Sequence, residues 1–151
     1  MNNPAKNLNI VKDIGLTLLS EGKTIRIKAH GYSMYPCIKP GSMILIEPLK
    51  EKGLPVLGEI IAIRRENGMI VHRLSRIIIK NGVKTYIARG DSNAYADEPV
   101  KIDKIAGRIV RAETTGENQK LADIRINTRP NYFLNRLRVI GIFLWKKRFT
   151  H

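Results

Sequence analysis

Runs of isoleucine and valine separated by tight-turn signals are the feature of this sequence that most constrains its fold. Two of the junctions are the dipeptides Asn67-Gly68 and Asn81-Gly82, which favour two-residue hairpin turns because both central residues of a type I′ turn take positive φ. Strands joined by such turns pair antiparallel. The pattern therefore predicts a mainly β domain built on an antiparallel sheet. The predicted strands are Ile25–Ala29, Met43–Glu47, Glu59–Arg65, Met69–Lys80, Lys84–Arg89 and Ile105–Ala112, with a further one around Leu121–Asn127.

Apolar residues at helical spacing lie on either side of this strand region. Residues 6–21 predict a short amphipathic helix, and residues 130–149 predict a basic amphipathic helix that begins after Pro130. A chain of 151 residues has room for one domain with a sizeable core and hardly for two. We therefore predict a single domain over residues 1–151, with the β core at residues 24–127.

The charge is strongly positive and is concentrated towards the end of the sequence. The chain has 27 Lys and Arg against 13 Asp and Glu, a formal net charge of +14. No acidic residue follows Asp123, whereas residues 125–148 include seven basic ones. Such a segment favours an anionic partner. The two candidates are an anionic membrane surface, reached through residues 125–148, and a nucleic acid. Nucleic acid is the less favoured of the two, and the N-terminal helix alone is too small for a helix-turn-helix DNA reader.

No segment of the sequence predicts a membrane span or a secretion signal. The longest apolar run, Val139–Trp145, has seven residues, against about 20 for a transmembrane helix. Near the start, polar residues separate the apolar ones, so no unbroken apolar region follows a basic one. We therefore expect a protein that is cytoplasmic or peripheral on the cytoplasmic membrane. The single cysteine, Cys37, excludes an intrachain disulfide and a cysteine-based zinc site, and we expect it in the core.

Three polar segments interrupt the strands at places where a hydrophobic core would not require them. Ser33 follows an alternating strand and lies in a proline-containing turn. His72 shares a strand face with Ile70 and Leu74, and an imidazole on such a face is more often a core residue than a general base. The third segment, residues 90–99, combines turn-forming residues with three acids: Asp91, Asp97 and Glu98. Each segment alone is explained by local structure.

Taken in order, these segments resemble type I signal peptidases, in the serine–histidine subtype of the endoplasmic reticulum, archaea and some bacteria. Ser33-Met34-Tyr35-Pro36 is similar to the Ser-Met-x-Pro nucleophile box of that family. Gly58–Ile63 is similar to its Gly-Asp-hydrophobic strand, and Val71-His72-Arg73-Leu74 falls where the bacterial subtype has its lysine base. Gly90-Asp91-Ser92-Asn93, followed by Asp97, is similar to its Gly-Asp-Asn-Asn box.

The resemblance, which covers about Ile25–Val110, implies a serine endopeptidase that cleaves after small residues and needs no metal or cofactor. Ser33 would attack a carbonyl of a peptide or preprotein, with His72 as general base. Asp97 matches the aspartate that orients the base, and Asp91 matches a structural anchor of the same loop. The other box residues, Met34 and Pro36, would support the nucleophile. The family fold is a largely antiparallel β domain, in agreement with the strand pattern.

Some positions depart from the family pattern. The N-terminal helix is short and charged where signal peptidases have a transmembrane anchor. Glu59 stands where aspartate is usual, and Gly31 stands where many relatives have a serine that helps to form the oxyanion hole. The choice between Asp91 and Asp97 as the partner of His72 stays open at this point.

Two other protein classes compete with this hypothesis. LexA-type self-cleaving repressors share the fold and a Ser-Met box, but they use a lysine base and have a DNA-reading domain in front, so His72 and the short N-terminal segment favour the signal peptidase branch. The second rival is a non-catalytic basic module that binds anionic membrane or nucleic acid with the same fold. A complete Ser/His/Asp set favours the enzyme.

The C-terminal helix has two interpretations. In the favoured one, the basic residues stay solvated while four apolar residues dock on the β core: Phe133, Leu137, Leu144 and Trp145. In the other, the helix is a monotopic anchor, with Trp145 and Phe149 in the membrane interface and the basic residues on anionic headgroups.

Overall fold

The chain folds around one six-stranded antiparallel sheet. The structure is a computed structural model that describes residues 13–49, 53–66, 68–113 and 129–148. Helix α1, described over residues 13–20, precedes the sheet, and helix α2 (Tyr132–Arg148) follows it. The strands are β1 (Ile25–Lys28), β2 (Met43–Pro48), β3 (Ile60–Arg65), β4 (Gly68–Lys80), β5 (Val83–Arg89) and β6 (Ile105–Glu113), with a 3-10 turn at Ile102–Lys104.

The strand order is β1-β2-β6-β3-β4-β5, and each neighbouring pair is antiparallel. This confirms the predicted mainly β fold, with each of the six strands within one residue of its predicted ends. The strand predicted around Leu121–Asn127 lies outside the described residues. The order also places β6 between β2 and β3, a long-range pairing that the local sequence pattern does not reveal.

The Asn81-Gly82 junction forms the hairpin turn that the sequence predicts. In the β4–β5 hairpin, Asn81 has φ 50° and Gly82 has φ 74°, so both central residues have the positive φ that a type I′ turn requires. At the other junction, Gly68 has φ 104° but pairs with Arg65 as the first residue of β4, so it is not a central residue of a two-residue turn as the sequence predicts. Asn67 lies outside the described residues. The Asn81-Gly82 turn fixes the register between β5 and β4, the strand that contains His72.

Two hydrophobic clusters lie on opposite faces of the sheet. Along β3, Ile60 and Ala62 belong to the first cluster, and Ile61 and Ile63 belong to the second. Successive side chains of a strand alternate between faces, so this uninterrupted apolar run marks a strand that is covered on both sides. The first cluster also contains the buried leucines of α1, Leu16 and Leu19, which confirms the amphipathic character of the part of that helix the structure describes.

The predicted C-terminal helix is present, but the favoured prediction of how it packs is wrong. The four residues expected to dock on the core are exposed: Phe133 (75%), Leu137 (47%), Leu144 (66%) and Trp145 (64%). Asn135 is the only residue of α2 that is buried, and Tyr132, Val139 and Ile142 are half-buried on the same side. The hydrogen bond of Asn135 to the sheet domain turns the predicted docking residues away from it. Within the described residues, no helix is long and apolar enough to cross a membrane.

Candidate active site

Ser33 lies in the loop between β1 and β2, in a turn that the core holds on one side. Met34, the next residue, is buried in the first hydrophobic cluster together with Ile38. The Ile38 N–H donates to the Met34 carbonyl (2.9 Å), and the Tyr35 N–H donates to the Tyr32 carbonyl (3.0 Å). The Tyr35–Pro36 peptide bond is cis. Burial of the side chains that follow Ser33 therefore fixes the loop while the serine itself stays half-exposed.

His72 lies on β4 opposite Ile61 of β3. Its Nδ1 is 2.6 Å from Oδ2 of Asp97, which lies in the loop after β5. The Asp97 N–H donates to the Ala88 carbonyl (2.8 Å) and ties that loop to the sheet. When Nδ1–H of a neutral imidazole donates to a carboxylate, Nε2 keeps its lone pair and can accept a proton. This contact selects Asp97, rather than Asp91, as the partner of His72.

Asp91 instead pairs with Arg73, the residue after His72. Arg73 Nε and Nη2 donate to the two carboxylate oxygens of Asp91 at 2.8 and 2.7 Å, and Nη1 donates to the Gly58 carbonyl at 2.9 Å. Burial by itself lowers the pKa of the Arg73 guanidinium, but the hydrogen bonds and the charge of Asp91 outweigh it, so that the pKa is raised. Asp91 is thus held in a buried, bidentate ion pair near the start of its loop.

The loop that begins at Gly90 is joined directly to the Ser33 loop. The Ser92 N–H donates to the Ser33 carbonyl (2.9 Å), and Ser92 Oγ donates to the Tyr32 carbonyl (2.6 Å). At Gly90 the two backbones approach so closely that a Cβ would lie 2.7 Å from the Ser33 carbonyl oxygen. Since Asp97 is on the same loop, these contacts couple the position of Ser33 to that of the His72–Asp97 pair.

Ser33 and His72 line one cavity of about 200 Å³. Most of its remaining wall is apolar and comes from β1, β2, β4 and the serine loop, including Ile27, Met34, Ile44, Met69 and Val71. Within the described residues, the hydroxyl of Ser33 makes no hydrogen bond to His72. Catalytic hydrogen bonds are often long in unliganded sites and tighten when substrate binds. The arrangement therefore provides a hydroxyl and an oriented imidazole at the same small apolar cavity.

The comparison with known families agrees with this architecture. Residues 6–110, which include β1 to β5 and all three polar segments, match the profile of the Peptidase S24-like family. The chain belongs to that family. A search of curated proteins finds no match. Membership in the Peptidase S24-like family supports the signal peptidase/LexA-like superfamily inferred from the motifs and a peptidase-type activity in general. Helix α2 lies outside the matched residues.

The structure explains two positions at which the sequence departs from the signal peptidase pattern. Glu59 accepts a hydrogen bond from Arg108 Nη1 (2.8 Å) and another from the Val56 N–H (2.9 Å), so the longer acid serves to hold the turn before β3. Gly31 has φ 80°, and a Cβ built on it would meet no atom within 4 Å. A serine at this position would therefore have space but would require a left-handed backbone that favours glycine.

Several residues that shape the site were not singled out from the sequence. Arg73 and Ser92 lie inside the motifs quoted above, but the sequence alone assigns them no role. Arg73 could have been recognised because it is a charged residue in an otherwise apolar stretch of strand. Arg89 donates from Nη2 to the Asn93 and Ala94 carbonyls, both at 2.9 Å, which no motif predicts.

Cys37 packs against the first cluster, as expected for a core residue, and burial raises the pKa of its thiol. The described residues include no group of three or more His, Cys, Asp or Glu placed to bind a metal ion.

Proposed function

We propose that this protein is a serine endopeptidase of the signal peptidase type, with Ser33 as nucleophile, His72 as general base and Asp97 as the residue that orients His72. The observation that supports this most strongly is the 2.6 Å contact between His72 Nδ1 and Asp97 Oδ2 beside a cavity that Ser33 also lines. A histidine base in place of a lysine favours the serine–histidine subtype over the self-cleaving repressors.

In the proposed reaction, Ser33 Oγ attacks the carbonyl carbon of the scissile peptide bond and its proton passes to His72 Nε2. The tetrahedral intermediate collapses as the C–N bond breaks, and His72 returns the proton to the leaving amine. Water then attacks the acyl-enzyme, with His72 again accepting a proton, and releases the acid product and Ser33. The Ser33 backbone N–H is the proposed donor to the oxyanion, and loss of one such donor typically costs about 100- to 1,000-fold in rate.

The walls of the cavity support an apolar residue before the scissile bond. They include Met34, Ile44 and Met69, which favour contact with an aliphatic side chain, while the proposed preference for small residues rests on the resemblance to signal peptidases. An extended substrate segment would place one such side chain in the cavity and present its carbonyl to Ser33.

The test is cleavage of a diverse peptide library, read by mass spectrometry, with wild-type protein, Ser33→Ala and the matched control Ser20→Ala. Ser20 is exposed on α1, and among the described residues its hydroxyl bonds to the Thr17 carbonyl alone, so its substitution should not change cleavage. We expect cuts after small residues with the wild type and Ser20→Ala, and none with Ser33→Ala. Cuts that persist in Ser33→Ala would contradict the proposal. Absence of cuts from every folded protein would favour the binding-module hypothesis.

A further inference from the structure

Helix α2 is fixed to the two loops that form the candidate site. Asn135 is buried and donates from Nδ2 to the Asp91 carbonyl (3.1 Å). Near the end of the helix, Lys146 Nζ donates to the Tyr32 hydroxyl (2.8 Å), and the Phe143 ring meets the Tyr32 ring edge-on at 5.0 Å. At its start, Tyr132 stacks under the guanidinium of Arg89 at 3.7 Å. The helix therefore has a defined orientation, with one side towards the domain.

The opposite side of α2 presents an exposed apolar stripe. Its residues recur at positions i, i+4, i+7 and i+11, which lie on one face of a helix, and all four are more than 40% exposed: Phe133, Leu137, Ile140 and Leu144. Leu134 and Trp145 extend this outer stripe and are exposed as well. Because Val139 and Ile142 face the domain, the helix is apolar on two sides, a pattern typical of a helix that is covered on both.

The charges around the outer stripe indicate what covers it. Helix α2 has five basic residues and no acidic one, the basic residues being Arg136, Arg138, Lys146, Lys147 and Arg148. Helical periodicity places Arg136 and Lys147 along one border of the stripe and Arg138 along the other, with Arg148 at the C-terminal end of the stripe. A second copy of the chain packed on this stripe would bring like charges together with no carboxylate on either helix to pair with them. An anionic lipid surface offers the opposite charge, and an apolar layer beneath it.

We propose that α2 docks the protein on the surface of an anionic lipid bilayer, with the outer stripe in the interface and its basic borders on the headgroups. Docking in this orientation holds Tyr32 and Asp91, and with them the cavity that Ser33 lines, at the membrane surface. This inference rests on the contacts and exposure of α2 and not on the proposed peptidase activity, so either can fail without the other.

The experiment measures binding of the full chain to vesicles of phosphatidylcholine alone and of phosphatidylcholine mixed with phosphatidylglycerol, by co-sedimentation and by Trp145 fluorescence. Trp145 is the only tryptophan of the sequence and extends the stripe, so its emission reports insertion at this site. We expect binding to the anionic vesicles with a blue shift of the emission, and weaker binding as salt rises. Binding to both vesicle types alike, or binding without a blue shift, would overturn the proposal.

Matched variants separate the stripe from general charge and hydrophobicity. The double variant Leu137→Gln/Leu144→Gln should lower the partition coefficient about tenfold for each leucine, and Lys147→Gln/Arg148→Gln should lower it about fivefold for each charge. The control variants are Ile79→Gln and Lys80→Gln/Lys84→Gln in the β4–β5 hairpin, where Ile79 is 66% exposed. We expect them to bind like the wild type, with circular dichroism confirming that every variant is folded.

Two further results would overturn the proposal in favour of another occupant. A lipid-free dimer in sedimentation that Leu137→Gln/Leu144→Gln abolishes would assign the stripe to a second copy of the chain. Binding of a single-stranded oligonucleotide that both α2 double variants abolish, with no binding to vesicles, would assign the helix to nucleic acid. Cleavage of soluble peptides should be unchanged in the α2 variants, which distinguishes failure of the docking surface from failure of the proposed peptidase function.

Discussion

Two neighbouring residues of β4 each pair with an aspartate of the same loop, and the two pairs differ in what surrounds them. The Arg73–Asp91 pair has two parallel hydrogen bonds, and both side chains are only 2% exposed. The His72–Asp97 pair has a single contact, with side chains 10% and 16% exposed, and His72 lines the cavity. Complete burial and full hydrogen bonding favour a structural role, whereas partial access leaves one imidazole nitrogen for chemistry. The same loop thus serves stability with one carboxylate and the proposed reaction with the other.

The largest expected effect is on catalysis and comes from the accessible pair. Asp97→Asn removes the acceptor that orients His72, so we expect cleavage to fall by about 10⁴-fold, as in other serine triads that lose the third residue. The free energy of unfolding should change by no more than about 1 kcal/mol, since the pair is partly solvated. Asp103→Asn, an exposed acid of the 3-10 turn, is the control, and cleavage rates with chemical denaturation are the measurements. Full activity in Asp97→Asn would remove Asp97 from the site.

Loss of one partner of the buried Arg73–Asp91 pair should lower the stability of the protein strongly, in contrast to loss of the His72–Asp97 contact. Asp91→Ala leaves the Arg73 guanidinium buried without its counter-charge, which should lower the free energy of unfolding by about 3–5 kcal/mol. Replacement of both partners, Arg73→Met with Asp91→Leu, should cost much less because no charge remains buried. Urea unfolding of the two variants measures the difference. If Asp91→Ala were as stable as the wild type, the ion pair would have no structural role.

A smaller effect should come from the close approach that joins the two loops. Gly90→Ala places a methyl group 2.7 Å from the Ser33 carbonyl oxygen and 2.8 Å from the Asn93 side chain, so we expect a loss of about 1–3 kcal/mol in stability. Displacement of Ser33 by about 1 Å would also cost about 100-fold in cleavage rate. Gly141→Ala is the control, because its Cβ meets nothing within 4 Å and alanine favours a helix. An unchanged cleavage rate in folded Gly90→Ala would show that the close contact between the two loops does not affect catalysis.

The smallest effect is a change in thiol reactivity beside the buried pair. Burial raises the pKa of Cys37, which outweighs the opposing effect of the nearby Arg73 charge, so less thiolate is present at any given pH and iodoacetamide should react slowly with the folded protein. Asp91→Ala should speed alkylation of Cys37 because it removes the buried ion pair beside the thiol. Asp97→Asn should leave the rate of alkylation unchanged. Mass spectrometry of the alkylated protein measures the rates. Equal acceleration in both variants would show that the pairs are not independent.

The sequence predicts the fold better than it predicts the packing of the site. Alternation, Asn-Gly turns and helical spacing depend on neighbouring residues, so all six described strands could be located in advance. The pairing of His72 with Asp97, and of Arg73 with Asp91, joins residues 25 and 18 positions apart, and the motif alone did not decide between the two acids. The orientation of α2 was predicted wrongly, because the hydrogen bond from Asn135 to Asp91 fixes it and no hydrophobic pattern contains that information.

The central claim is that Asp97 orients His72 and leaves Nε2 free for the proton of Ser33. Nuclear magnetic resonance of histidine-labelled protein measures this directly, with His72→Ala used to assign the His72 signals among the three histidines. We predict a downfield Nδ1–H signal from His72, protected from exchange by its hydrogen bond to Asp97, that disappears in Asp97→Ala and persists in Arg73→Met/Asp91→Leu. A His72 signal that persists in Asp97→Ala, or that places the proton on Nε2, would contradict the account.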